Sequence, residues 1–193
     1  CQPEYDYLPG REKTPKDWVK GSQEALDNTG YDEYSLLSLS ASDYTRLHEL
    51  AITLKDTHSE KGISLSMPSQ RADRFDIEIA NELNAVRKSG ITLAPEAGTE
   101  RLRQVINTGL KEEEIRKAIE NVYDSGFNHV KLYFMIGLPT ETTDDLEGIL
   151  DLLKWSSNLS KIKNKRPINI TCTISTFVPK SFTPFQWFSQ NRS

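Results

Sequence analysis

The residues with the clearest potential for chemistry follow Ile91–Ala94, a short apolar run typical of a buried strand. Glu96 stands just after this run, and Gly98 is expected to free the turn for a bound ligand. Carboxylates at the carboxyl end of a strand occupy the place where α/β barrels and open parallel sheets bind ligands. Arg101 and Arg103 come next, and a guanidinium offers a planar pair of donors to a carboxylate. The stretch therefore predicts a ligand site.

A second strand end has the same character. Val130–Ile136 predicts a strand, and the turn Gly137–Glu141 follows it directly. Because two strands both end in polar turns that contain glycine, we expect these turns to form one rim of an active site.

These residues are positioned by alternating helix and strand patterns. Thr14 and Pro15 predict the start of the first helix, and Gly30 predicts its end. Five strands are predicted near residues 33, 63, 91, 130 and 168. The intervening helices are predicted at residues 15–28, 43–58, 75–88, 99–106, 112–125 and 143–159, and a solvated loop is predicted at residues 160–166.

This alternation predicts an α/β fold with parallel strands and right-handed crossovers. A doubly wound sheet and a partial barrel both fit the pattern. No Gly-x-Gly-x-x-Gly motif follows the first strand, so the partial barrel is favoured.

Composition narrows the class of protein. The 193 residues are 36% hydrophobic and 27% charged, with a net charge of −4, which predicts a soluble globular protein and gives no reason to expect nucleic-acid binding. No apolar run approaches the ~20 residues of a membrane span. The two cysteines form no CxxC pair, so a reducing cytoplasm is expected. The chain begins with Cys1 rather than Met, and we expect it to be part of a longer protein.

Several stretches resemble radical S-adenosylmethionine (SAM) enzymes, particularly the large cobalamin-domain-associated members of largely unassigned substrate. The matching stretches keep the family's order and are residues 28–40, 65–71, 92–103, 134–141, 176–180 and 183–187. The resemblance implies that residues 1–193 form a partial (β/α)6 TIM-like barrel, with most of the first strand and the cluster loop missing. The aromatic residues within 178–193 are expected to contact a following domain.

The resemblance also implies a [4Fe–4S] cluster, which the family binds through a CxxxCxxC loop. Cys1 stands where the third cysteine of that loop is expected, and the first two would precede residue 1. The chain itself therefore cannot supply the three thiolates that such a cluster needs.

Nine residues are implied to bind SAM. They are Ser40, Ser42, Asp43, Ser66, Glu96, Arg101, Arg103, Ile136 and Gly137. Asp43 would replace the family's glutamate at the methionine amino group, or it only caps a helix. Glu96 would contact SAM, and the two arginines would bind the SAM carboxylate or pair with Glu96 or Glu100.

Further implications concern the adenine and the methionine carboxylate. The turn at Ile136 and Gly137 would pack beside the adenine, with Ser66 on the substrate side. Thr108 departs from the family, whose members usually carry a lysine or arginine at that position, and this weakens the expectation of tight SAM binding.

The implied function is generation of a 5′-deoxyadenosyl radical, with an electron donor such as a flavodoxin or ferredoxin. Adjacent domains of the parent chain are the expected partners, with cobalamin as a further cofactor there. The substrate stays open, and no catalytic residue is assigned. The alternative is a degenerate barrel acting as a binding or scaffold module, which the departures at Ser40–Asp43 and Thr108 favour. An unrelated barrel enzyme ranks third, since only Lys131 could form a Schiff base and no phosphate loop is evident.

Overall fold

Helices and strands alternate in the computed structural model, which describes residues 11–36, 44–66, 71–83, 90–164 and 166–189. The helices of this part of the chain are α1 (Pro15–Thr29), α2 (Leu47–His58), α3 (Ile77–Leu83), α4 (Glu100–Val105), α5 (Glu112–Asp124) and α6 (Thr143–Ile162). The strands are β1 (Glu33–Ser35), β2 (Ser64–Ser66), β3 (Ile91–Glu96), β4 (His129–Ile136) and β5 (Asn169–Thr176). Ser59–Lys61 and Ala72–Arg74 form short 3₁₀ helices.

All paired strands are parallel, as predicted. β1 pairs with β2, and β4 lies between β3 and β5 in a second sheet. The fold is therefore mixed α/β and corresponds to a partial TIM-like barrel, and the described strands do not close into a complete barrel.

The first helix begins and ends where the sequence predicts. Thr14 is its N-cap and exchanges hydrogen bonds with Asp17, while Pro15 occupies the first turn. Gly30 ends the helix in the left-handed conformation with φ 71°, and its N–H donates to the carbonyl of Leu26 over 2.8 Å.

Some element boundaries differ from those predicted. α6 continues to Ile162, so the first residues of the predicted loop 160–166 are helical. Lysine is a good helix former and is stabilising near a helix C-terminus, so the positive charges of this run are compatible with a last helical turn. β3 also extends beyond Ala94 and ends at Glu96.

The main hydrophobic core lies between the β3–β4–β5 sheet and the helices that cover one of its faces. Leu93 and Leu132, neighbours in adjacent strands, are fully buried, and so are Ile115 and Ile119 of α5. Alternate residues of β4 point to the other face and are more exposed, as expected for a sheet covered on one side. The sheet face and α5 therefore form one continuous core.

A second hydrophobic cluster surrounds β1 and β2. Leu50, Ala51 and Leu54 on one face of α2 pack with Leu65 of β2 and with Leu36. The spacing of the three α2 residues is that of a single helix face. Each sheet therefore has a core of its own. Within the described residues, no helix is both long enough and apolar enough to cross a membrane.

Candidate functional site

Glu96 lies at a bulge where β3 leaves the regular sheet. Leu93 pairs with Leu132 but Glu96 pairs with Phe134, so β3 uses one more residue than β4 over this interval. Glu96 has φ 69°, a left-handed conformation that is uncommon for residues other than glycine. A bulge redirects the side chain that it carries, and such features are frequent beside active sites. The carboxylate position therefore depends on a strained backbone.

The Glu96 carboxylate is partly buried. Burial raises its pKa, while the positive charge of Arg71 acts in the opposite direction. Across the described ranges, no side chain or backbone N–H forms a hydrogen bond or an ion pair with this carboxylate. A ligand cation with N–H donors would satisfy both oxygens, so Glu96 has the properties of an acceptor for such a group.

Gly98 has a role that differs from the expected one. A Cβ added at Gly98 would lie 2.0 Å from the carbonyl oxygen of Asp145 and 2.6 Å from the nitrogen of Ile149. The space that the glycine leaves is therefore filled by the backbone of α6 rather than left for a ligand. Gly98 permits direct packing of the turn after β3 against the N-terminal part of α6.

Arg103 is completely buried, which the sequence did not indicate. Its Nε donates to the carbonyl of Leu110 over 3.0 Å, and one Nη donates to the carbonyl of Ala97 over 2.8 Å. The other Nη donates to the carboxylate of Glu112 over 2.8 Å. Because each nitrogen already has an oxygen acceptor inside the protein, this geometry corresponds to a structural role and not to the SAM contact implied by the resemblance.

Arg101 is half exposed and donates to the carboxylate of Asp145 and to the carbonyl of Thr140, the latter over 2.9 Å. Its partners are therefore neither Glu96 nor Glu100, the two residues considered from the sequence. Thr140 has φ 67°, although a β-branched residue rarely adopts this conformation. Arg101 thus connects α4 with the strained turn that follows β4.

Asp145 is the functional candidate that sequence reasoning missed. Only 1% of its side chain is exposed, and it accepts hydrogen bonds from Thr99, Arg101 and Thr142. Burial alone would raise the pKa of Asp145, but these hydrogen bonds outweigh it and lower the pKa below its usual value. The spacing of Thr142 and Asp145 at the start of a helix resembles a capping box, a signal that could have identified part of this network.

The turn after β4 uses its own polar groups internally. Gly137 has φ 78°, and its N–H donates to the Glu141 carboxylate over 2.8 Å. The carbonyl of Ile136 accepts the N–H of Phe177 over 2.8 Å. The Ile136 side chain is only partly buried, which leaves apolar surface beside the turn. A ligand at this turn could therefore contact the apolar Ile136 side chain, whereas the Gly137 N–H already donates to Glu141.

The remaining predicted residues are placed in part or not at all. Ser66 is the last residue of β2, at the carboxyl end of the first sheet, where its backbone pairs with Ser35. Ser40, Ser42, Asp43 and Cys1 lie outside the described residues. The structure therefore brings Glu96, Arg101 and the Ile136–Gly137 turn to the carboxyl ends of two neighbouring strands. It leaves the other candidates as predictions.

The residues of this chain do not fit an iron–sulfur cluster by themselves. Cys172 of β5 is the single free cysteine of the described part, and burial raises the pKa of its thiol. The same part of the chain contains no group of three or more histidine, cysteine, aspartate or glutamate residues that could hold a metal ion. With two cysteines in the whole sequence, a cluster that needs three thiolates requires ligands from elsewhere.

The parallel α/β fold is that of a partial TIM-like barrel, with polar residues at the ends of its strands. The sequence model of the radical SAM superfamily matches residues 1–153. The chain belongs to the radical SAM superfamily. It is 32% identical over 180 residues to the uncharacterized protein MJ0966 of Methanocaldococcus jannaschii, a match that covers 93% of this chain and 37% of that protein. The chain thus spans well under half the length of this relative.

Two solved structures share the fold at low sequence identity. Coproporphyrinogen III oxidase (HemN) from Escherichia coli, a radical SAM enzyme, aligns with a TM-score of 0.62 and 10% identity, over 86% of this chain and 38% of that one. The radical SAM methyltransferase TsrM from Kitasatospora setae was solved with cobalamin and a [4Fe–4S] cluster bound. It aligns with a TM-score of 0.59 and 13% identity, over 83% of this chain and 29% of that one. At this identity the likeness concerns the fold alone.

Proposed function

We propose that this chain is the SAM-binding part of a larger radical SAM enzyme. The whole protein would bind a [4Fe–4S] cluster and SAM and generate a 5′-deoxyadenosyl radical that acts on a substrate still to be identified. Superfamily membership over residues 1–153 supports this class of activity. The observation that carries the proposal for this chain is the partly buried Glu96 carboxylate, which has no hydrogen-bonding partner in the described structure.

Three of the candidate residues that the structure describes would have distinct parts in the SAM site. The Glu96 carboxylate would accept N–H bonds from the SAM ammonium, because a partly desolvated carboxylate gains most from a cationic donor. The partly buried Ile136 side chain would cover one face of the adenine. Arg101 would orient the turn after β4 through the Thr140 carbonyl rather than bind SAM itself. Bound SAM would supply the 5′-deoxyadenosyl group.

Other parts of the proposal lie outside the described residues. Ser40, Ser42 and Asp43 are among these and remain predicted SAM contacts. Ser66, the last residue of β2, is described and remains predicted to lie on the substrate side. Cys1 would be one of three cluster thiolates, with the others supplied by the rest of the protein. A flavodoxin or ferredoxin would donate the electron, in a cytoplasmic setting. Cobalamin in the parent protein is a proposal that TsrM supports only as a structural neighbour.

The test uses the full-length protein, reconstituted anaerobically with iron and sulfide and reduced with dithionite. We expect cluster absorbance, SAM binding and release of 5′-deoxyadenosine, with cluster and product both lost in Cys1→Ala. Glu96→Gln should bind SAM at least about tenfold more weakly, since a hydrogen bond to a charged group contributes about 1.5–3 kcal/mol. Glu113→Gln, an exposed glutamate of α5, is the matched control and should bind normally.

A non-catalytic barrel is the second candidate. It is favoured by two polar groups that could otherwise bind a cofactor but form hydrogen bonds within the protein instead. These are the Arg103 guanidinium and the Gly137 N–H. The same experiment separates the two functions. A full-length protein that is reconstituted with iron and sulfide but neither binds SAM nor forms 5′-deoxyadenosine would contradict the enzyme proposal and support the scaffold.

A further inference from the structure

We propose that Asp145 is a positioning residue that fixes the turn after β3 relative to the turn after β4. The first turn directly follows Glu96, and the second follows Ile136 and begins with Gly137. Glu96 and Ile136–Gly137 are the two parts of the proposed SAM site. The consequence for SAM binding rests on the proposed function, whereas the mechanical connection between the turns does not.

The connection is made by one buried carboxylate. One oxygen of Asp145 accepts the hydroxyl of Thr99, which belongs to the turn after β3. The other accepts the guanidinium of Arg101 and, over 2.8 Å each, the N–H and hydroxyl of Thr142. Thr99 and Thr142 therefore reach the same group from segments more than 40 residues apart in sequence.

Ordinary helix capping explains only part of this arrangement. Asp145 stands three residues after the N-cap Thr142, and its bond to the Thr142 N–H is the usual capping contact. The bonds from Thr99 and Arg101 cross to another element and contribute nothing to the cap of α6. They are the contacts that join the two turns.

The network requires an acceptor with two oxygens. Every partner of Asp145 donates a hydrogen bond, and an ionised carboxylate accepts at both oxygens. An asparagine would present its NH₂ group either to Arg101 and Thr142, which donate, or to the Thr99 hydroxyl, which already accepts the Leu102 N–H. In both orientations it lacks the negative charge that binds Arg101, so Asp145→Asn is nearly isosteric but weakens the connection.

A residue with a strained backbone lies at the exit of each of the two strands. Glu96 and Thr140 have φ 69° and 67°, conformations that persist only when the surroundings fix them. Arg101 bonds both Asp145 and the Thr140 carbonyl, so the restraint reaches Thr140 directly. SAM would extend from Glu96 to Ile136, and a ligand that bridges two turns binds well only when their separation is fixed in advance.

The first experiment needs no ligand. Amide hydrogen exchange is measured on the full-length protein and on its Asp145→Asn variant, with Asp144→Asn as control because Asp144 is an exposed acid in the same helical turn. We expect exchange to be about tenfold faster in both segments 97–103 and 137–142 of Asp145→Asn, and unchanged in the control. Faster exchange confined to the first turn of α6 would reduce Asp145 to a helix cap and overturn the inference.

The second experiment compares SAM with its two halves, 5′-methylthioadenosine and methionine. In Asp145→Asn we expect SAM to bind about tenfold more weakly, and each half to lose less than about threefold, because each half needs only one turn. Equal SAM affinity in the variant and the wild type would refute the positioning role. A wild-type protein that binds no SAM would contradict the proposed function, while the exchange result would still decide the inference.

A second variant guards against failure to fold. The Arg101 side chain is half exposed, so Arg101→Met should leave the fold intact while it removes the bonds to Asp145 and Thr140. We expect the same paired increase in exchange in segments 97–103 and 137–142. Wild-type exchange in both segments of Arg101→Met would overturn the part of the inference in which Arg101 carries the restraint to Thr140.

Discussion

The carbonyl of Gly98 packs directly against Gly148 in α6. A Cβ added at Gly148 would lie 2.7 Å from the carbonyl oxygen of Gly98. A Cβ added at Gly98 would lie 2.0 Å from the backbone carbonyl oxygen of Asp145. The turn after β3 and the first half of α6 thus meet backbone to backbone, at the same place where the Asp145 carboxylate contacts Thr99. Close packing and hydrogen bonding therefore act on the same junction.

The first prediction concerns this junction. Gly98→Ala should destabilise the protein by about 3 kcal/mol or more, because the added methyl group meets backbone atoms that cannot move independently. Gly21→Ala is the control, since its Cβ meets nothing within 4 Å in the interior of α1, and it should stabilise by about 0.5–1 kcal/mol. Urea denaturation measures both. A Gly98→Ala protein as stable as the wild type would contradict the packing described here.

The second prediction concerns the charge of Glu96. Since burial raises the pKa of this carboxyl in the folded protein, the ionised form costs stability at neutral pH. Glu96→Gln should therefore be more stable than the wild type at pH 7. This difference in stability should shrink as the pH falls through the raised pKa of the folded state. It should vanish below the unfolded-state pKa of about 4.3. Denaturation between pH 8 and pH 3.5 tests this, and a constant difference over the range would be incompatible with the raised pKa.

The third prediction concerns Arg103. Arg103→Met should destabilise by about 3–5 kcal/mol, because it leaves the carbonyls of Leu110 and Ala97 and the carboxylate of Glu112 without their donor. Lys20→Met is the comparison, since Lys20 forms a largely exposed pair with Glu24 and should change stability by about 0.5 kcal/mol or less. Thermal denaturation distinguishes the two. A small effect at Arg103 would mean that its contacts are not maintained in solution.

The fourth prediction concerns acid. The pKa of Asp145 is lowered in the folded protein, so the ionised carboxylate stabilises the fold. This stabilisation is fully present above the unfolded-state pKa of about 3.9, and it is lost as the pH falls through the folded-state pKa. Asp145→Asn should be less stable by about 2–3 kcal/mol at pH 7, and the gap to the wild type should narrow below about pH 4. Asp151→Asn, at an exposed pair with Lys154, is the control and should change stability at pH 7 by about 0.5 kcal/mol or less.

Much of the fold was predictable because its signals are local. Alternating burial in β4 and the single apolar face of α5 follow from periodicity, and Thr14 and Gly30 mark the ends of α1 by their own backbone chemistry. All five strands and their parallel pairing follow from such signals. The boundary of α6 was misjudged, because a run of charges is compatible with both a loop and a helix end.

The candidate site was less predictable because its decisive contacts are distant in sequence. Thr99 and Arg101 meet Asp145 from 46 and 44 positions away, and no spacing rule connects them. Arg103 was assigned to a ligand for its charge, whereas burial and three internal acceptors give it a structural role. The prominence of Glu96 was visible in the sequence, but its left-handed backbone depends on a bulge that only pairing with β4 reveals.

The left-handed Glu96 has a consequence for how selection acts on this position. Glycine adopts φ 69° without strain, and asparagine does so more readily than glutamate, so either would relieve a cost of about 1 kcal/mol or more. Drift under selection for stability alone would therefore move the position away from glutamate. Retention of the glutamate in spite of this strain would indicate selection for the contacts of its carboxylate rather than for stability of the fold.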